Sequence, residues 1–164
     1  MRLDDIAGSG DPVGRIEIGL AAVAAIKRQA SREYPLECCG ILVGTTVSSG
    51  GMTFTSVSSV TVAENVETED RARKFAIAPE LLLQVHRRAG SEGLAVVGYY
   101  HSHPDGLAVP SETDRLAAWP GVSYLILEVG AEQEMVFRSW RLSEDGERFH
   151  EERVELPRKF DLYP

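Results

Sequence analysis

The chain is 164 residues long, with 43% apolar and 26% charged residues and a formal net charge of -8 at pH 7, which together describe a single ordinary globular domain with a proper core. A pI near 5.0 counts against a nucleic-acid partner, because binding a phosphate backbone rests on a basic surface. No run approaches the roughly 18 apolar residues of a membrane span, and Asp4 and Asp5 stand where a secretory signal would begin with basic residues, so no membrane partner and a cytoplasmic location are expected.

Residues 1–14 carry Gly8, Gly10, Pro12 and Gly14 among acidic residues and offer little to bury, which predicts a flexible lead-in to one domain over 15–164. Arg15 to Ile18 predicts a short strand. Gly19 to Ala30 is alanine-rich, and Leu20, Val23, Ala24 and Lys27 at helical spacing predict a first helix with one packed stripe. Cys38 and Cys39, the only cysteines, are sequence neighbours, where a bridge is strained, so no disulfide framework is available, which suits a reducing compartment. The stretches Glu37 to Gly44 and Met52 to Val62, either side of Gly50-Gly51, predict two paired strands. Ala63 to Lys74 is charged and aperiodic, hence an exposed loop, and Phe75 to Ala78 predicts a short strand. Pro79 opens a second helix with Leu82, Val85 and Ala89 on one stripe and Gly90 at its end. Leu94 to Tyr100 predicts a buried strand that continues through two histidines to Pro104. A Pro and Gly loop to Pro110, a third helix over Ser111 to Trp119, strands over Ser123 to Val129 and Glu134 to Leu142, and an edge strand over Arg153 to Leu156 complete the order. Helices interleaved with strands imply an α/β fold, a mixed sheet with helices packed on its faces.

The window from Gly98 to Asp114 carries the chemistry. Successive strand residues alternate sides, so His101 and His103 face one way and Ser102 the other. Two imidazoles and one carboxylate form the usual protein ligand set of a catalytic zinc, which keeps its fourth position for water; Asp114, eleven residues beyond His103, is the candidate third ligand. Competing explanations exist for each part. Ser111 and Asp114 also spell an N-terminal capping box, and two histidines two apart can be surface residues of a strand.

The combined pattern His-x-His-x(7)-Ser-x(2)-Asp, filled by His101, His103, Ser111 and Asp114, resembles the signature of the JAMM/MPN metallopeptidases. That resemblance implies a zinc cofactor and an architecture akin to cytidine deaminases. It also implies a catalytic glutamate before the second strand, and Glu37 in Pro-Leu-Glu-Cys-Cys-Gly resembles it; on composition alone Glu64, Glu80 and Glu128 are rivals. The implied reaction is amide hydrolysis: Glu37 takes a proton from the attacking water and passes it to the leaving amine, and Ser111 donates a hydrogen bond to the oxyanion. The segment after Asp114 lacks the insertion of family members that process polyubiquitin. The chain is therefore similar to prokaryotic members that act after the C-terminal Gly-Gly of ubiquitin-like sulfur carriers of the ThiS/MoaD type, for example releasing cysteine. Two alternatives remain: removal of a ubiquitin-like modifier from lysine, and a non-catalytic scaffold. A zinc deaminase would need His-x-Glu and Pro-Cys-x-x-Cys, and neither occurs. Asn65 is a candidate substrate contact in the charged loop. His86 and His150 are expected to be structural or surface residues, and the cysteines are expected in the core. Oligomeric state is left open.

Overall fold

A computed structural model describes residues 7–8, 13–132 and 134–156; most of the lead-in over 1–14 lies outside them. The strands are β1 (Ala7–Gly8), β2 (Gly14–Ile18), β3 (Cys39–Ser49), β4 (Met52–Ala63), β5 (Ala95–Pro104), β6 (Ser123–Val129), β7 (Met135–Leu142) and β8 (Phe149–Glu155). The helices are α1 (Leu20–Glu33), α2 (Pro79–Ser91) and α3 (Glu112–Ala117). β2, β4 and β8 run parallel to one another, as do β5 and β6, while β3 is antiparallel to both β4 and β5. The sheet order is β1-β8-β2-β4-β3-β5-β6-β7, and antiparallel pairing of β7 with β8 closes it. The mixed sheet is thus barrel-like. β8, expected at an edge, sits between β7 and β2, because its register with β7 places Glu152 opposite Ser139, in reach of Arg141.

Both faces are covered, which is why β3, β5 and β6 read as nearly continuous apolar runs. Leu42, Leu125 and Leu127 pack with Ile16, Ile18 and Ile26 on the face under α1, whereas Ile41 and Val43 pack against Val85 and Ala89 of α2. The α1 stripe is rotated from the expected one: Ala22, Val23, Ile26, Gln29 and Ala30 are buried, whereas Leu20 is 49% exposed and Lys27 points outward. The buried Gln29 explains the rotation. Its Nε2 donates to the Cys39 and Ala63 carbonyls and its Oε1 accepts from Tyr100 Oη at 2.6 Å, so a polar side chain is satisfied inside the core.

No strand forms over residues 75–78; that segment is held instead by Asn65, whose Oδ1 accepts from the Ala76 N–H at 3.1 Å. Helix α3 is shorter than expected, with Ser111 as its N-cap and Ala118 as its C-cap. Gly40 leaves room for the Tyr100 ring, which occupies the space a Cβ would fill. Because Tyr100 is fully buried and hydrogen-bonded, Gly40→Ala is expected to destabilise the fold by about 1–3 kcal/mol. Urea denaturation measures the change, and an unaltered midpoint would refute it. Among the described residues, no helix is long and apolar enough to cross a membrane.

Candidate metal centre

The direction of the two histidines is set by an irregularity in β5. Its register with β3 places Leu42 opposite Gly98 but Val43 opposite Val96, so Val97 is an extra residue. A bulge of this kind inverts the alternation downstream. Val97 and Tyr100 both join the core under α1, while Tyr99 packs with the clusters on the opposite face. His101 and His103 follow Tyr99. Ser102 points the other way, and its hydroxyl accepts from the Cys38 N–H at 2.9 Å.

Asp114 arrives from α3. The loop from Pro104 to Pro110 folds back, and the Ser111 hydroxyl accepts from the Asp114 N–H at 3.1 Å while the Ser111 N–H donates to Asp114 Oδ2 at 2.6 Å. Both readings of this motif therefore coincide: the capping box exists, and it aims the carboxylate at the histidines. Asp114 Oδ1 lies 3.3 Å from His101 Nε2, and Oδ2 lies 3.5 Å from His103 Nε2. One ligand atom from each of the three residues falls within 4.8 Å of the others.

The donor set fits a metal cation. His103 Nδ1 is 2.7 Å from the Leu107 carbonyl oxygen, which can only accept, so the proton sits on Nδ1 and leaves a lone pair on Nε2 in the neutral ring. That Nε2 lies 3.0 Å from His101 Nε2. Electron-rich atoms converging this closely in a buried setting need a positive charge between them. The electrostatics keep Asp114 as a carboxylate and favour neutral His101, as metal ligands require, while on His103 they favour a proton that a bound cation would displace. Burial would raise Asp114, but the His101 charge and hydrogen bonds from His101, His103 and Ser111 hold it well below the usual carboxylate range. Burial lowers His101, whereas for His103 the Asp114 hydrogen bond and charge, with the Leu107 carbonyl, outweigh burial and raise it.

Glu37 lies just before β3 and is only 4% exposed. Burial pushes its carboxyl up to about 8, with His103 opposing and Asp114 and Asp70 adding to the rise. Its Oε2 and His101 Nδ1 are, among the described residues, the buried side-chain N and O atoms without a hydrogen-bond partner. Of the rival glutamates, Glu64 and Glu80 are exposed and Glu128 is half-buried in β6. Two openings meet at the centre. One, of roughly 650 Å³, is lined by Glu37, His103 and Ser111 together with Arg73 and Asp105. The other, of roughly 300 Å³, is largely apolar and bordered by Phe75, Tyr99, Trp119 and the ligand candidates His101 and Asp114.

The structure does not place Asn65 as an exposed substrate contact. It is 1% exposed, and its amide is fully used: Nδ2 donates to the Glu37 and Lys74 carbonyls, and Oδ1 accepts from the Glu67 and Ala76 N–H groups. It ties the Glu37 backbone to the segment carrying Phe75. Phe75 stacks on His101, with ring centroids 4.5 Å apart and planes at 24°. No local signal marks Phe75, because nothing in its neighbourhood says which ring a loop aromatic will cover. Leu107 was equally hidden, since its backbone carbonyl, not its side chain, meets His103. Cys38 and Cys39 are fully buried, and burial pushes their thiols up to about 11 and about 12, which leaves them protonated and poor nucleophiles. His86 is exposed on α2 and His150 is half-buried in β8, both away from the centre.

A family profile described as prokaryotic homologs of the JAB domain matches residues 20–143, from the start of α1 to just past β7. Over 98 residues the chain is 40% identical to a desampylase from Haloferax volcanii, an alignment that takes in 59% of this chain and 66% of that protein. The solution structure of a protein from Desulfitobacterium hafniense superposes with a TM-score of 0.73 at 27% identity, covering 88% of this chain and 94% of that one. The solution structure of a protein from Salinibacter ruber gives a TM-score of 0.63 at 33% identity, covering 87% and 92%. With a matched span that holds Glu37, both histidines, Ser111 and Asp114, the chain belongs to the prokaryotic JAB family, within the JAMM/MPN group that its motif resembles.

Proposed function

We propose that this protein is a zinc-dependent peptidase that hydrolyses the amide bond after the C-terminal Gly-Gly of a ubiquitin-like protein, of the ThiS/MoaD sulfur-carrier type. The observation that carries this reading is the convergence of His101, His103 and Asp114 beside the buried, partnerless carboxyl of Glu37. His101, His103 and Asp114 would hold the zinc, three protein ligands being the catalytic pattern. The chemistry zinc supplies when bound is polarisation of a carbonyl and of water.

Glu37 takes the proton of the attacking water. A carboxyl held near 8 by burial falls into the range where a group both accepts and returns a proton at neutral pH, and a cation at the ligand cluster strengthens its basic form. It then delivers that proton to the departing amine. Ser111 carries the oxyanion role, for which its hydroxyl turns from Asp114 Oδ2, 2.7 Å away, toward the substrate; one such donor is worth roughly a hundredfold or more in rate. The name of the Haloferax relative, desampylase, supports a ubiquitin-like modifier as the acyl side, and also favours a second reading in which the leaving group is a lysine side chain.

Two measurements test the reading. Asp114→Ala is expected to lower bound zinc, measured per chain by mass spectrometry of the metal, about tenfold or more, since it removes one of three ligands. Incubating zinc-loaded protein with a ubiquitin-like protein extended beyond Gly-Gly, by an amino acid or through a lysine isopeptide, is expected to release the free Gly-Gly terminus. No cleavage of either kind would sink the proposal.

A further inference from the structure

Amide hydrolysis breaks the C–N bond, adds a hydroxyl to the glycine carbonyl and delivers a proton to the nitrogen. The group that delivers this proton fixes where the leaving group lies. Glu37 lines the larger opening, with His103 and Ser111, and is absent from the walls of the apolar one. The amine therefore departs through the larger opening, and the residues there meet whatever the amine is attached to.

The charged walls of that opening, beyond Glu37 itself, are Arg73 from the loop before Phe75 and Asp105 from the turn after His103. Asp105 has a positive φ of 54° and accepts from Tyr34 Oη at 3.0 and 2.8 Å, so it is fixed on its side of the cavity. Arg73 makes none of the ion pairs found among the described residues. An opening lined both by a guanidinium outside those ion pairs and by a carboxylate held by Tyr34 is matched to a zwitterion. The net charge of -8 sharpens this, because a substrate carboxylate entering without a local cation would be repelled.

We propose that Arg73 binds the α-carboxylate of the leaving group, so that the preferred scissile bond joins Gly-Gly to a single terminal α-amino acid. In such a substrate the carboxylate is two bonds from the scissile nitrogen and enters the opening that Arg73 lines, and a planar guanidinium grips carboxylates in bidentate fashion. A lysine isopeptide offers four methylenes there and no charge. The inference rests on the peptidase reading above and selects between its two leaving groups.

The test uses zinc-loaded full-length protein and three probes built on one ubiquitin-like protein: Gly-Gly-Ala with a free carboxylate, the same with a C-terminal carboxamide, and Gly-Gly on the Nε of a lysine peptide. Wild type is expected to cleave the free-carboxylate probe with a kcat/KM roughly 10- to 100-fold above the carboxamide, the scale of one charge-assisted contact. Arg73→Ala is expected to erase that preference by slowing the free-carboxylate probe alone, mainly through KM, and Arg73→Lys to restore part of it. Equal cleavage of carboxylate and carboxamide by wild type, equal slowing of both by R73A, or an isopeptide cleaved fastest and untouched by R73A would overturn the inference while leaving the peptidase reading intact. Failure of all three probes would remove the peptidase reading and the inference with it. Arg73 is exposed, so the variant's melting temperature should match wild type.

Discussion

Glu37→Gln is expected to retain bound zinc and lose amide hydrolysis by about three orders of magnitude or more, because proton transfer by a positioned side chain contributes roughly 10²- to 10⁴-fold and here one group serves twice. The same substitution is expected to stabilise the metal-free protein at alkaline pH. The folded-state pKa of Glu37 is raised from 4.5 to about 8 by burial, so the folded state binds the proton more tightly than the unfolded chain. The contribution of Glu37 to stability is therefore fully present below about 4.5 and is lost as pH rises through about 8, by on the order of 5 kcal/mol once Glu37 is ionised. Glutamine carries no charge and escapes this decline. Thermal melts of both metal-free proteins from pH 4.5 to 8.5 measure the effect. The wild-type curve should fall below the variant as pH rises, and parallel curves would show that Glu37 is not held as its burial implies. A residue that weakens the fold and is needed for turnover is the expected signature of a functional carboxylate.

Glu152→Ala is expected to destabilise the fold by about 3–5 kcal/mol, the range for leaving one member of a buried pair uncompensated. Glu152 is fully buried, accepting from Arg141 Nε at 3.0 Å and Ser139 Oγ at 2.8 Å. The same Arg141 donates to Thr55 and Ser123 at 3.2 Å. Four strands, β4, β6, β7 and β8, thus meet at one guanidinium, and the network sits at the seam where β7 and β8 close the sheet. Without the carboxylate, the guanidinium stays in the seam with hydroxyl partners only. Urea denaturation gives the loss, and hydrogen exchange should show the β7 and β8 amides opening first. The double variant Arg141→Met, Glu152→Leu is expected to regain much of it by replacing ions with packed hydrocarbon. A single variant as stable as wild type would refute the assignment.

The expected elements recur where their signals are local. The Gly50-Gly51 turn joins β3 to β4 at positive φ values of 60° and 78°, conformations open to glycine at little strain, so that hairpin was readable from two residues. Pro79 at the first turn of α2 was equally plain. The α1 stripe lies one position from the one that periodicity predicts, because Gln29 counts as polar in any periodicity, yet its partners Cys39, Ala63 and Tyr100 lie on three strands. The edge strand expected over Arg153 to Leu156 starts instead at Phe149 and lies inside the sheet, and for the same reason: the charge that makes Glu152 tolerable inside belongs to Arg141.

The motif spacing within β5 and α3 determined which side chains could share a centre, since alternation along a strand and one turn of helix are properties of the local backbone. His101, His103, Ser111 and Asp114 could be picked out on that basis, and Glu37 only by resemblance. Tertiary structure decided what the backbone cannot encode locally: the Val97 bulge that turns the histidines away from α1, the Phe75 ring laid on His101, the Asn65 amide that fixes the Glu37 backbone, and the burial that lifts the Glu37 carboxyl. Each depends on contacts between segments far apart in the chain, and a buried charge or a spent amide acquires its properties from neighbours that only the folded sheet supplies.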